Sequence, residues 1–186
     1  AHDIERAAPP LEAGLRLLLV DDHPLFLEGL RHMLTTQGAQ VVGVAHDGQE
    51  AFTMAEAHRP DIILMDVEMP ECDGVEATRR ITAQFPDIKI AMLTVVVDDD
   101  VLFEALRAGA SSYLLKNLDS ATLFSRLSDL MQDQVVIDPR LANRVLDAFG
   151  DRAVDARDAA PDADSDGTAN EDESADLTPR QIEVLQ

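Results

Sequence analysis

Two neighbouring aspartates, Asp21 and Asp22, close an apolar run at Leu15–Val20. A third, Asp66, closes Asp61–Met65, while Thr94 follows Lys89–Leu93 and Lys116 follows Ser112–Leu115. Brought to one place, these side chains would make a crevice of three carboxylates, a hydroxyl and an amine. Three crowded acids repel one another unless a cation joins them. A hard divalent ion with oxygen ligands, Mg²⁺ first, meets that need and leaves positions for water and substrate oxygens. Asp66 follows Ile62-Ile63-Leu64-Met65, the most apolar of the runs, which marks it as the nucleophile of the three. Carboxylates form aspartyl phosphates, and around such a group the metal would offset phosphoryl charge, Lys116 add a compact point charge and Thr94 a hydrogen bond.

Each residue alone has a plainer reading. An aspartate after a strand is often a turn former or helix cap, a lysine a solvated surface residue, a threonine an ordinary β-branched strand residue. Two features weigh against that here. The required types stand in order at four strand ends, and the chain carries thirteen arginines but only two lysines, Lys89 and Lys116.

The elements that must position them are legible in the hydrophobic pattern. Leu15–Val20, Gln40–Val44, Asp61–Met65, Lys89–Leu93 and Ser112–Leu115 are short runs rich in Ile, Val and Leu, the signature of parallel strands covered on both faces. Stretches of helical length alternate with them. Pro24–Thr36 places Leu25, Phe26, Leu30 and Met33 or Leu34 near a 3.6 spacing, with Gly38 as a stop. Gly48–Arg59 ends at Pro60, Gly74–Phe85 at Pro86 and Asp99–Ala108 at Gly109, and Asp119 is the N-cap of a last helix through Met131. Five strand–helix pairs give an α/β fold, a (βα)5 doubly wound parallel sheet, whose ligands sit at the carboxyl ends of the strands.

Beyond these residues the chain matches a family pattern. DDHPLFLEGLRHML from Asp21, Asp66-Val67-Glu68-Met69-Pro70 with Asp73-Gly74, Leu93-Thr94, Ala105–Ala110 and Tyr113-Leu114-Leu115-Lys116 together resemble a response-regulator receiver domain, of the subfamily with a LuxR-type helix-turn-helix output. The resemblance covers residues 15–131. It implies a flavodoxin-like fold and Asp66 as acceptor of a phosphoryl group from a sensor histidine kinase. It also implies Mg²⁺ held by Asp21, Asp22, Asp66 and the Glu68 main-chain carbonyl, with Lys116 as the phosphate-binding lysine. Thr94 and Tyr113 become the switch pair: phosphate draws Thr94 inward and Tyr113 follows, changing the face formed by the fourth helix and fifth strand. Such a domain catalyses only its own phosphotransfer and dephosphorylation. Departures from the subfamily are Leu27 in place of arginine, Glu71-Cys72, the apolar run Val95–Val97, and Asn117. Glu68 and Val96 stand where receivers tune the lifetime of the phosphorylated state.

Composition sets the surroundings. One cysteine, Cys72, rules out an internal disulfide and fits a reducing, cytoplasmic setting, and no run of eighteen apolar residues offers a membrane span. A formal charge of −21 argues against nucleic acid as a direct partner. Residues 1–13 read as a flexible tail, 14–134 as the receiver, and 135–150 as an added strand and helix. Residues 151–176 hold ten acids against two arginines, a net −8, with Val154 the one large apolar side chain, and read as a disordered acidic linker. Residues 177–186, LTPRQIEVLQ, resemble the opening of a LuxR-type DNA-binding domain, with Thr178 as N-cap, Pro179 in the first turn and Gln181 completing a capping box. DNA binding is therefore expected only through a C-terminal domain missing here, and homodimerisation on phosphorylation through the receiver. Residues 162–173 also fit the spacing of a calcium loop, with Asp162, Asp164, Asp166, Gly167 and Glu173. Pro161 before it and Ala169 at its eighth position lack the apolar anchors such a loop needs. A calcium-binding interaction protein is the second reading, and a pseudo-receiver working by contact alone the third.

Overall fold

The computed structural model describes residues 11, 14–70, 72–95, 98–132 and 136–137. Along them run β1 (Arg16–Val20), α1 (Pro24–Thr36), β2 (Gln40–Ala45), α2 (Gly48–His58), β3 (Ile62–Asp66), α3 (Gly74–Gln84), β4 (Lys89–Thr94), α4 (Asp99–Arg107), β5 (Ser112–Leu115), α5 (Ser120–Met131) and β6 (Val136–Ile137). The sheet order is β2-β1-β3-β4-β5-β6, and each neighbouring pair is parallel. The (βα)5 doubly wound architecture is thus the one the strand and helix periods imply. The added helix of 138–150, the acidic segment, the calcium-loop spacing and the helix-turn-helix opening lie outside the described residues.

Strand alternation divides the core. Leu17, Leu19, Ile62, Leu64, Ala91, Leu93 and Leu114 pack with Leu27, Leu30 and Leu34 of α1 and Leu123, Phe124, Leu127 and Leu130 of α5. The intervening Leu18, Val20, Ile63, Met65, Ile90, Met92 and Tyr113 pack with Ala51 and Ala55 of α2, Ala77 and Ile81 of α3, and Leu102 and Ala105 of α4. Helices therefore cover both faces, α1 and α5 on one and α2, α3 and α4 on the other. β3 is buried at all five positions. Truncating its Leu64 to alanine would cost about 2–5 kcal/mol.

The buried face of α1 differs from the expected one. Leu25 is 90% exposed, while Leu27, Leu30 and Leu34 are buried. The spacing i, i+3, i+7 is met by 27, 30 and 34, and a face centred there turns Leu25 to solvent. The same face accounts for an apolar residue at Leu27, which sits in the core. Leu11, ahead of the first strand, is also buried in that cluster.

Helix starts follow capping chemistry. Asp47, Asp73, Asp98 and Asp119 precede α2, α3, α4 and α5, and each accepts backbone N–H bonds from the first turn. α1 instead begins at Pro24, with no side-chain cap from His23. α2 stops at His58, and Arg59 takes a left-handed φ of 45° before Pro60, which excludes helical continuation.

Candidate functional site

Register levels the strand ends. Val20 pairs with Met65, so Asp21 and Asp66 are next in line across β1 and β3. Asp66 pairs with Leu93, and Thr94 with Leu115, which carries Thr94 and Lys116 to the same edge. The chain turns one way from β1 to β2 and the other way to β3, so the reversal of strand order falls between Asp21 and Asp66. Asp21, Asp66 and Thr94 are buried, and Asp22 is half-buried beside them.

Lys116 ties the two buried aspartates together. Its Nζ lies 2.7 Å from Asp21 Oδ2 and 2.8 Å from Asp66 Oδ2. It also lies 4.9 Å from the centroid of the Phe26 ring, a cation–π contact that holds the ammonium at the mouth of the site. Burial works to lower the lysine's pKa, but Asp21 and Asp66 outweigh it and raise it. The ammonium is therefore charged throughout the working range. Asp66 goes the other way: burial raises its pKa, with the Asp21 charge adding to the rise, and Lys116 and the Glu68 backbone N–H only partly offset this. The carboxylate is thus destabilised as an anion in spite of its lysine.

The acidic set fits a divalent ion. Carboxylate oxygens of Asp21, Asp22 and Asp66 and a ring nitrogen of His23 all lie within 4.8 Å of one another. Asp21 Oδ2 and Asp22 Oδ1 are buried and accept no directed hydrogen bond, the Lys116 contact to Asp21 being an ion pair without that geometry. Lys116 supplies one positive charge against the three carboxylates, so the cluster keeps an excess of negative charge that a divalent cation would offset. Glu68 is exposed and lines a cleft of about 530 Å³ over the site, with Asp22, His23, Pro70, Asp73 and Glu104.

Thr94 and Tyr113 lie on the opposite face of the sheet from the Lys116 pair. Tyr113 is fully buried among the residues under α2, α3 and α4. Burial raises its phenol pKa, and the Thr94 hydroxyl is the main influence opposing this, though without the geometry of a full hydrogen bond. Of the run Val95–Val97, Val95 is described; it is 69% exposed and lines an apolar hollow of about 490 Å³ with His23, Leu25, Phe26, Lys116 and Asn117.

The structure brings Asp21, Asp22, Asp66, Lys116 and Thr94 to one strand-end edge and puts Tyr113 behind it. It adds two residues that sequence reasoning passed over. His23 stands next to the acidic pair in DDHP, and its nearness was available from adjacency alone. Phe26 carries no such signal, because its contact with Lys116, the residue after β5, arises only when α1 packs onto the sheet.

Residues 17–128 match the response regulator receiver domain, and the chain belongs to that family. The transcriptional regulatory protein DegU of Brevibacillus brevis is 34% identical over 139 residues, covering 74% of this chain and 59% of DegU. The transcriptional regulatory protein LnrK of Bacillus subtilis is 34% identical over 172 residues, 92% of this chain and 75% of LnrK. A two-component response regulator of the LuxR family from Aurantimonas superposes with a TM-score of 0.69 at 31% identity, covering 74% of this chain and 99% of that one. The chain thus spans about three fifths of the length of DegU. Among the described residues no helix is long and apolar enough to cross a membrane.

Proposed function

We propose that this chain is a phosphorylation switch in which Asp66 takes a phosphoryl group from the phosphohistidine of a sensor kinase. The observation that carries the reading is the pair of Lys116 contacts, 2.7 Å to Asp21 and 2.8 Å to Asp66, at the point where strand order reverses. An oxygen of Asp66 attacks phosphorus, the new O–P bond forms as the P–N bond breaks, and the electron pair stays on the departing imidazole nitrogen. Burial and the Asp21 charge disfavour negative charge at Asp66, so the charge that the phosphoryl group adds there has to be met by cations. Lys116 pairs with a phosphoryl oxygen, and Thr94 donates its hydroxyl to another.

Asp21, Asp22, Asp66 and the Glu68 carbonyl are the groups that would hold Mg²⁺, which when bound offsets phosphoryl charge. Turnover of the acyl phosphate returns Asp66: water attacks phosphorus and inorganic phosphate leaves. Thr94 moves toward the phosphoryl group, and Tyr113, already inside the protein, is held there, which fixes the surface of α4 and β5. This surface governs self-association and signalling to a DNA-binding output. The test is uptake of one phosphoryl group from acetyl phosphate, read by intact mass with Mg²⁺ and with EDTA. Uptake with Mg²⁺ alone supports the reading; no uptake, or uptake indifferent to EDTA, overturns it.

A further inference from the structure

We infer that Phe26 is a positioning residue for phosphoryl transfer, its ring face seating the Lys116 ammonium as it passes from the Asp66 carboxylate to the incoming phosphoryl group. The inference rests on the phosphorylation reading above and adds to it the residue that steadies the lysine. Around Lys116 Nζ stand Asp21 Oδ2 at 2.7 Å, Asp66 Oδ2 at 2.8 Å and the centroid of the Phe26 ring at 4.9 Å. Both partners of the ring contact are anchored through their backbones. Phe26 lies in the first turn of α1 beside Leu27, which is buried in the core and whose N–H donates to His23 O at 3.1 Å. The Lys116 N–H donates to Thr94 O at 2.7 Å, at the end of β4.

Core packing alone does not account for the ring. Phe26 is half-buried, and hollows of about 300 and 490 Å³ both have Phe26 and Lys116 in their walls. A turn of the flexible four-carbon lysine stem would carry the ammonium into that space if nothing held it. During transfer Lys116 exchanges a carboxylate contact for a phosphoryl oxygen, and a strongly hydrated ammonium between two anionic partners is readily lost to water. Attraction to the negative face of an aromatic ring needs no hydrogen-bond geometry. The ammonium can therefore pivot on the ring during the exchange and keep its charge beside phosphorus. An aliphatic side chain of similar bulk at this position would fill the same space and offer no such seat.

The test is the rate of phosphoryl uptake by the full chain from acetyl phosphate at saturating Mg²⁺, read by intact mass. It compares wild type, Phe26→Leu, Phe26→Tyr and a series with increasingly fluorinated phenylalanine placed at position 26 alone. Fluorination withdraws charge from the ring face with little change of shape, which separates the cation contact from packing. Phe26→Leu should slow uptake about threefold to tenfold, Phe26→Tyr should restore most of the rate, and each added fluorine should slow it further. The chain has two lysines, Lys89 and Lys116, so the Lys116 ε-methylene protons are readily followed by NMR. Their upfield ring-current shift should be lost in Phe26→Leu and kept in Phe26→Tyr. A wild-type rate in Phe26→Leu, a fluorinated series as fast as phenylalanine, or an unshifted Lys116 signal in wild type overturns the role of Phe26 and leaves phosphorylation standing. No uptake by wild type overturns the phosphorylation reading and this inference with it.

Discussion

A methyl group on Gly74 would lie 1.9 Å from the carbonyl oxygen of Asp66. The first residue of α3 is therefore pressed against the backbone of the proposed acceptor, and its N–H donates to Val67 O at 3.0 Å. No flexible side chain stands between them to give way, so any larger residue must push the end of β3. Gly74→Ala should destabilise the fold by about 3 kcal/mol or more and slow Asp66 labelling. Gly29→Ala, in mid-α1 with open space around it, should instead stabilise by about 0.5–1 kcal/mol. Denaturant midpoints of the two variants, measured together, check the contrast.

Asp66 carries a pKa above its ordinary value, with burial the largest cause. A raised folded-state pKa means that folding favours the protonated form. The stability it contributes is full below the unfolded-state pKa and is lost as pH rises through the folded value. Asp66→Asn without metal should therefore raise Tm near neutral pH, with the gain shrinking toward pH 4. An equal gain across that range would show that the charge is not the cause. Saturating Mg²⁺ should reduce the gain, because the wild-type carboxylates then have a cation.

Lys116→Ala removes the cation between two buried aspartates and should cost about 3 kcal/mol in EDTA. Part of this should return with Mg²⁺, and more fully in Lys116→Ala with Asp21→Asn, where one like charge is gone. Thermal unfolding of the single and double variants checks the sign. Additive losses would mean that the 2.7 Å contact carries no coupling.

Tyr113→Phe keeps the buried ring and removes the phenol that Thr94 influences. Stability should change by less than about 1.5 kcal/mol, since the volume is nearly conserved. Phosphorylation of Asp66 should proceed, while any phosphorylation-dependent self-association weakens. Sedimentation with and without phosphodonor reads this. Association that is as strong in Tyr113→Phe as in wild type would remove Tyr113 from the switch.

The strand ends were legible in the sequence because buried parallel strands read as unbroken apolar runs, and a polar residue closing such a run marks the edge of the sheet. That is why Asp21, Asp66, Thr94 and Lys116 could be found without coordinates. Helix starts were legible for a related reason, since Asp119 and Gly74 announce a cap and a turn. The buried face of α1 is not legible in the same way: Leu25 and Phe26 satisfy a helical period as well as Leu27 does, and only the packing of α1 on β1 and β2 decides among them. The relationship of Phe26 to Lys116, and the direction of the Asp66 pKa, depend on packing between distant segments. No local pattern encodes them.

The most direct test of the central claim is to locate the phosphoryl group. After incubation with acetyl phosphate and Mg²⁺, borohydride reduction converts an aspartyl phosphate to homoserine, which peptide mass mapping assigns to a position. The account predicts homoserine at position 66 alone, and none in Asp66→Asn. Homoserine at Asp21 or Asp22 with Asp66 intact, or labelling at a native rate in Asp66→Asn, would contradict it.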